Sequence, residues 1–155
     1  MKNLNRRELG MVLTAAATLG GLTAEAQTPS ATTNTPLLSH SAIFPFEQLT
    51  ARSGPNGMVT RPVLRGTLAT HEYVEVHETT LPPGQMPHPP HRHTHSEFLL
   101  IREGKLEVNS DGQTGLVEPG GVIFTASGVL HSLKNVGTQP ANYFVVAIGL
   151  QQTIT

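Results

Sequence analysis

Cysteine is absent from the 155 residues of the chain. That excludes disulfides, thiolate metal sites, a cysteine nucleophile and a lipid carried on cysteine. Any bound metal must therefore rest on nitrogen and oxygen ligands. Tryptophan is also absent, and aromatic supply is limited to 5 Phe and 2 Tyr. A platform that stacks sugars on broad aromatic faces is poorly served by so few rings. Charged residues make up only 14% of the chain, the formal net charge is −1, and no basic cluster follows the first seven residues. A nucleic-acid partner would need a basic footprint that this sequence lacks. Outside the N-terminal segment there is no sustained 3.6-residue apolar period, which argues against a helical bundle.

What is plentiful is glycine (15) and proline (12), punctuating short apolar runs. The N-terminus stands apart. Residues 1–26 begin with Lys2, Arg6 and Arg7, continue through an uncharged stretch from Leu9 to Ala24, and end in Ala24-Glu25-Ala26. This is the order of a cleavable export signal, with cleavage expected after Ala26 and a periplasmic or secreted product. The Arg6-Arg7 pair followed by Leu9 resembles a twin-arginine signal, with Asn5 and Gly10 departing from that pattern; a general secretory signal is the alternative. The apolar stretch is short for a membrane anchor, so no stable insertion is expected after cleavage. Residues 27–42, rich in Thr, Ser and Pro, read as a flexible linker in which Leu37-Leu38 could dock. The compact domain is expected over 43–151.

Within it, strand signals recur at close intervals. They fall at 58–66, 72–81, 97–103, 105–110, 121–126, 129–136 and 142–150, with "TGLVEP" between the fourth and fifth. Pro62 suggests an edge strand, because it cannot donate to a ladder. Asp111-Gly112 marks a tight hairpin. About eight short antiparallel strands predict an all-β sandwich or small barrel. Residues 98–101 and 143–148 are apolar on both faces, so they lie centrally or their outer face is covered by a second chain, as in a homodimer.

The densest chemistry is "HRHTHSEF", residues 91–98. Side chains alternate across an extended backbone, so His91, His93 and Glu97 share one side. Buried imidazoles need partners at both nitrogens and a buried carboxylate needs a compensating charge. One divalent cation would satisfy them together, and the ligand types favour Mn, Fe, Ni, Co or Zn. A second segment, "GGVIFTASGVLHSLKN" (120–135), carries Gly128, His131 and Asn135.

These two stretches fit H-x-H-x3-E-x6-G and G-x7-G-x2-H-x3-N, and in that order they resemble the paired motifs of the cupin superfamily. The resemblance covers about residues 60–150. Gly121 and Ala126 stand where that pattern usually has Asp and Pro, and Gly84 lies one residue further from His91 than usual; all three bear on loop geometry. The resemblance implies a jelly-roll β-barrel (a double-stranded β-helix), often dimeric, in which His91, His93, Glu97 and His131 ligate one metal ion. It also places His95 in the second shell or at the rim. His88 is expected at the pocket mouth, while His40, His71 and His77 have no partner pattern and read as ordinary residues.

Three imidazoles and a carboxylate around a divalent ion would let a small enol, catechol or hydroxy-acid chelate at open positions. The expectation is a metal-dependent enzyme acting on a small oxygen-rich molecule, of dioxygenase (quercetinase-like) type. Glu97 or His95 would move protons, and Phe98, Phe124 and Phe144 would line an apolar pocket. A cupin isomerase or lyase and a non-catalytic metal- or ligand-binding protein are the alternatives, since this fold hosts many chemistries.

Overall fold

A computed structural model of the chain describes residues 36–150. The signal segment, the linker up to residue 35 and residue 151 lie outside the described residues. Ten strands follow one another: β1 (Leu37–Leu38), β2 (Arg52–Ser53), β3 (Val59–Leu68), β4 (Tyr73–Leu81), β5 (Ser96–Glu103), β6 (Leu106–Ser110), β7 (Gln113–Val117), β8 (Val122–Thr125), β9 (His131–Asn135) and β10 (Ala141–Gly149). The described helical content is two single 3-10 turns, Phe46–Gln48 and Pro55–Gly57. The fold is all-β, as the turn-rich sequence predicts.

Seven strands form one sheet in the order β1-β3-β4-β10-β5-β8, with β2 also on β3, and three form a second in the order β7-β6-β9. Inner faces of both sheets contribute Leu81, Leu99, Ile101, Ile123, Tyr143 and Val145 from the first and Leu106 and Leu133 from the second. Each fully buried leucine stabilises the sandwich by roughly 1.5–3 kcal/mol. This is the jelly-roll arrangement.

Local sequence explains the connections. The β6–β7 hairpin turns at Asp111 (φ 50°) and Gly112 (φ 78°), the two positive angles that a two-residue hairpin loop requires. Gly104, between β5 and β6, has φ +86°, and a Cβ there would stand 2.6 Å from Ala141. Backbone conformation and space therefore both demand glycine. β3 is not a simple edge: β2 pairs with Val59 and Thr60, and β1 pairs in parallel with Thr67 and Leu68. Pro62 sits in the stretch between those pairings, where its missing N–H costs nothing, and the ladder to β4 shifts between Pro62 and Leu64.

Register fixes which side chains look inward. One row runs Glu75–Ala147–Glu97–Thr125 across β4, β10, β5 and β8; the next runs His77–Val145–Leu99–Ile123. The alternate residues, including Phe98, Phe124 and Phe144, face outward. Phe98 and Phe124 are 39% and 55% exposed and their rings pack against each other at 4.9 Å. None of the three lines the cavity beside the histidines, which corrects that expectation; Phe124 borders a separate, more open groove instead. The alternation that turns Glu97 and Thr125 into the barrel turns their neighbours out of it.

Candidate metal centre

The histidine segment is not a continuous strand. β5 begins only at Ser96, and His91 is held by an isolated antiparallel bridge to His131, with N···O distances of 3.1 and 3.0 Å. Residues between are fastened to the turn that precedes β9. Gly128 N–H donates to the His93 carbonyl, the Ser127 hydroxyl donates to the Thr94 carbonyl, and Ser127 N–H donates to the Ser96 hydroxyl. The Arg92 guanidinium donates to the Gly128 carbonyl. Gly128 adopts φ +74° to make this turn. Two segments about 40 residues apart in sequence are thus tied by main-chain bonds, which brings their imidazoles together.

The ligating atoms of His91, His93 and His131 lie within 4.8 Å of one another. Their rings stand 4.5 to 5.3 Å apart between centroids. Glu97, the second residue of β5, places Oε2 3.2 Å from His93 Nε2 and 3.9 Å from His131 Nε2. The structure thus gathers the three imidazoles, and sets the Glu97 carboxylate beside two of them. A second overlapping group consists of His93, His95 and Glu97.

Hydrogen bonding sets the imidazole tautomers. His93 Nδ1 lies 2.7 Å from the His95 carbonyl and His131 Nδ1 lies 3.0 Å from the Val129 carbonyl. A carbonyl can only accept, so both Nδ1 atoms carry the proton and both Nε2 atoms present lone pairs. Those two Nε2 atoms are buried without a hydrogen-bond partner, as is His91 Nδ1. Buried, unpaired nitrogens cost free energy that a cation would recover. This is the observation on which the residues fit a divalent metal.

Electrostatics agree. Burial, reinforced by His88, His131 and His93 nearby, holds the His91 imidazole down to about 4, so it is neutral and ready to ligate near pH 7. For Glu97, burial pushes the carboxyl up, but the His95 hydrogen bond and the nearness of the His93 and His95 imidazoles outweigh it and leave it lowered. It is a carboxylate at neutral pH.

His95 hydrogen-bonds Glu97 Oε1 through Nε2 at 3.0 Å, and its ring stacks on His93 at 3.8 Å and 7°. It therefore holds the outer carboxylate oxygen while Oε2 faces the imidazoles. His88 stands edge-on to His91, with ring centroids 4.0 Å apart, and borders the adjoining cavity. Asn135, fully buried, donates to the Leu81 and Gln139 carbonyls and accepts from Gly137 N–H, which orders the chain beyond His131. His40 and His71 lie apart from the group.

Beside the cluster lies a cavity of about 190 Å³, bordered by Glu97 and His131 and walled by Leu99, Leu133 and Val145. Thr79, Thr125 and Tyr143 add hydroxyls to it. One lining residue was missed from sequence: His77, on the inner face of β4. Its signal was parity with Thr79, two residues on, but the inward sense of that parity depends on pairing with β10.

The fold and this site define a β-barrel of the cupin kind whose His91, His93 and His131 could hold a metal ion. Residues 77–147 match the family model described as Cupin_2, a cupin domain, and the fold agrees with that match. Among solved structures, similar folds include an RmlC-like cupin from Shewanella frigidimarina (18% identity, TM-score 0.60, covering 73% of this chain and 95% of that one). A sugar phosphate isomerase from a cupin superfamily, from Silicibacter pomeroyi, aligns at 19% identity and TM-score 0.58, covering 70% and 76%. A protein described as a predicted oxalate decarboxylase, from Thermotoga maritima, aligns at 22% and 0.56, covering 70% and 100%. At such identities the likeness shows the fold alone. No curated protein matches the chain.

Proposed function

We propose that this is an exported, metal-dependent oxidoreductase of dioxygenase type acting on a small oxygen-rich molecule. The observation that carries the reading is a group of three buried, unbonded imidazole nitrogens, two of them facing the Glu97 carboxylate, beside an apolar cavity. His91, His93, His131 and Glu97 would hold one divalent ion, with Mn, Fe, Ni, Co or Zn the candidates. Bound there, such an ion supplies Lewis acidity and, if Fe or Mn, a place for dioxygen beside a chelating substrate. The chain's own contribution is to fix the imidazole tautomers through the carbonyls of His95 and Val129, and to exclude water with Leu99, Leu133 and Val145. Glu97 is the group nearest the reacting atoms that can take a proton, with His95 steadying it.

The cavity narrows the substrate. Its 190 Å³ is below the ~300 Å³ at which pockets for drug-sized ligands begin. Catechols, enediols and hydroxy-acids fit it better than a three-ring flavonol. None of the described residues lining it is arginine or lysine, so a phosphate or a second carboxylate would be left without a counter-charge. That disfavours sugar phosphates and oxalate, the compounds for which two of the similar folds are named.

Metal analysis of protein from its native compartment, followed by oxygen uptake with catechol, ascorbate-like enediols and lactate, tests the reading. One ion per chain and uptake with one substrate class is expected. Full occupancy without turnover of any of them would overturn the enzymatic reading in favour of a binding protein. Export is tested by N-terminal sequencing of the mature chain, expected to start at Gln27. The exposed face of Phe98, Leu100, Val122 and Phe124 supports a homodimer, read by sedimentation.

A further inference from the structure

The groups around the candidate metal centre are already engaged. His93 Nδ1, His131 Nδ1 and His95 Nε2 each have an acceptor, and Glu97 stands between two histidines. A proton-accepting group separate from the ligands must come from elsewhere in the cavity, and the same sheet holds one further across. His77 lines the same space as Glu97 and His131, from a strand two places across the sheet, about 10 Å by strand spacing. Between them on β10 stand two aliphatic side chains, Val145 paired with His77 and Ala147 paired with Glu97.

His77 has a carboxylate behind it. Glu75 shares its face of β4 and places Oε1 3.8 Å from His77 Nδ1. That is longer than a hydrogen bond, a separation that substrate binding could close. Glu75 is itself held through Oε2, which accepts from the Tyr73 hydroxyl at 3.0 Å and faces Arg65 Nε at 3.6 Å. With Nδ1 turned to Glu75, Nε2 is the atom left for the cavity. His77 also borders a second, more open groove with Arg52, Arg65 and Glu75, which gives a proton a way to solvent.

We propose that His77 is the substrate-contacting acid–base residue of this cavity and Glu75 the residue that positions it, acting on a small diol or enediol. The inference rests on the metal-dependent reading above. In the step assigned to it, a substrate hydroxyl gives its proton to the lone pair of Nε2. The imidazolium so formed faces the Glu75 carboxylate, and the proton later returns to product or leaves through the groove. No atom other than that proton changes place. Burial, opposed by Glu75, Glu97 and Glu78, keeps His77 below its ordinary value and hence neutral and able to accept. The facing residues of β3 and β10, Pro62 and Val145, carry no charge.

The test uses the full chain loaded with metal, titrated with catechol by calorimetry in two buffers of different ionisation enthalpy, so that protons released per binding event are counted. His77→Gln is expected to keep its metal content, bind catechol at least tenfold more weakly and release about one more proton to buffer than wild type. Glu75→Gln is expected to fall between the two. Equal affinity and equal proton count in wild type and His77→Gln would overturn the inference while leaving the metal centre standing. Loss of metal from His77→Gln would overturn it too, by making His77 part of the metal shell. A wild-type chain that takes up no metal would instead defeat the proposed function.

Discussion

Two glutamates, one fully buried and one half-buried, lie on opposite faces of the same sheet, and they are kept in opposite ways. Glu78, with no exposed surface, faces outward from β4 and receives the Arg61 guanidinium at 2.8 Å, the Thr80 hydroxyl at 2.9 Å and the Asn142 amide. Both of its oxygens are supplied with donors, and only Asn142 Oδ1 in that cluster lacks a partner. Glu97, facing inward, has one oxygen bonded to His95, while the other looks at imidazole nitrogens that make no hydrogen bond. A carboxylate satisfied by the fold belongs to the architecture. One surrounded by lone pairs that the fold leaves unpaired is arranged for something the chain does not itself supply.

The largest effect should come from Glu78. Glu78→Ala leaves the part-buried Arg61 without its partner, and breaking such a pair costs about 3–5 kcal/mol. A urea midpoint lowered by that amount, with metal stoichiometry unchanged in the folded fraction, is the expected outcome. Glu97→Gln should do the reverse. In chelator-treated protein it should change stability by no more than ~1 kcal/mol, because an amide oxygen can keep the His95 bond. Its metal affinity should fall at least about 100-fold, as expected when a charged oxygen ligand is neutralised. If the two variants proved equally destabilised and both still bound metal, the contrast between the glutamates would be void.

His95→Asn sharpens the same contrast. It removes the donor to Glu97 Oε1 and the ring stacked on His93 without removing a proposed ligand. Loss of such a supporting bond costs about 10–100-fold in metal affinity. Isotherms of wild type and variant, measured with the same ion, decide it. No change would mean that His95 is a rim residue only.

Acid should separate the two faces again. His91 and His77 both titrate below their ordinary range when folded, so the unfolded chain takes up their protons first as pH falls. Their neutral forms therefore add stability that is fully present above about pH 6.5, the unfolded value. For His91 the loss runs from there down to about 4, and the lowered Glu97 adds a further loss below 4.5. Melting temperature of chelator-treated protein should fall across that window, and His91→Asn should flatten part of the slope. A flat wild-type curve between pH 6.5 and 4.5 would contradict the assignment.

How much of this was legible in the sequence divides along the line between local and paired information. The hairpin at Asp111-Gly112, the glycine at 104 and the spacing of His91, His93 and Glu97 are local; the turns stand where expected, and His91, His93 and His131 come together as one group. Alternation predicts an extended backbone over 91–97, whereas the side chains of 91 and 93 converge on His131 because Gly128 and Ser127 tie the carbonyls of His93 and Thr94 down. Nothing in five residues shows a bond made to another segment. His77 could not be placed because the inside of β4 is defined by β10, about 70 residues away. Phe98 is different: once Glu97 was turned inward, the next residue had to face out, and the period of two already carried that answer.

The outer face offers the smallest and most informative test of the sheet. Phe98 pairs with Phe124, and Leu100 with Val122, so four large apolar residues form one block across β5 and β8. Towards β4 the same face is covered: Arg61 and Arg102 lie over the Phe46 ring at 5.0 and 5.3 Å, and Arg102 also reaches Phe144 at 5.8 Å. The block on β5 and β8 has no such cover among the described residues. Phe124→Ser, at a side chain already more than half exposed, should alter monomer stability by no more than ~0.5 kcal/mol. The same change should weaken self-association measurably in sedimentation, because it puts a hydroxyl in the middle of the apolar block. A variant that sediments as wild type does, at every concentration, would mean that this face meets only water, and the contrast between a closed architectural face and an open chemical one would hold within a single chain.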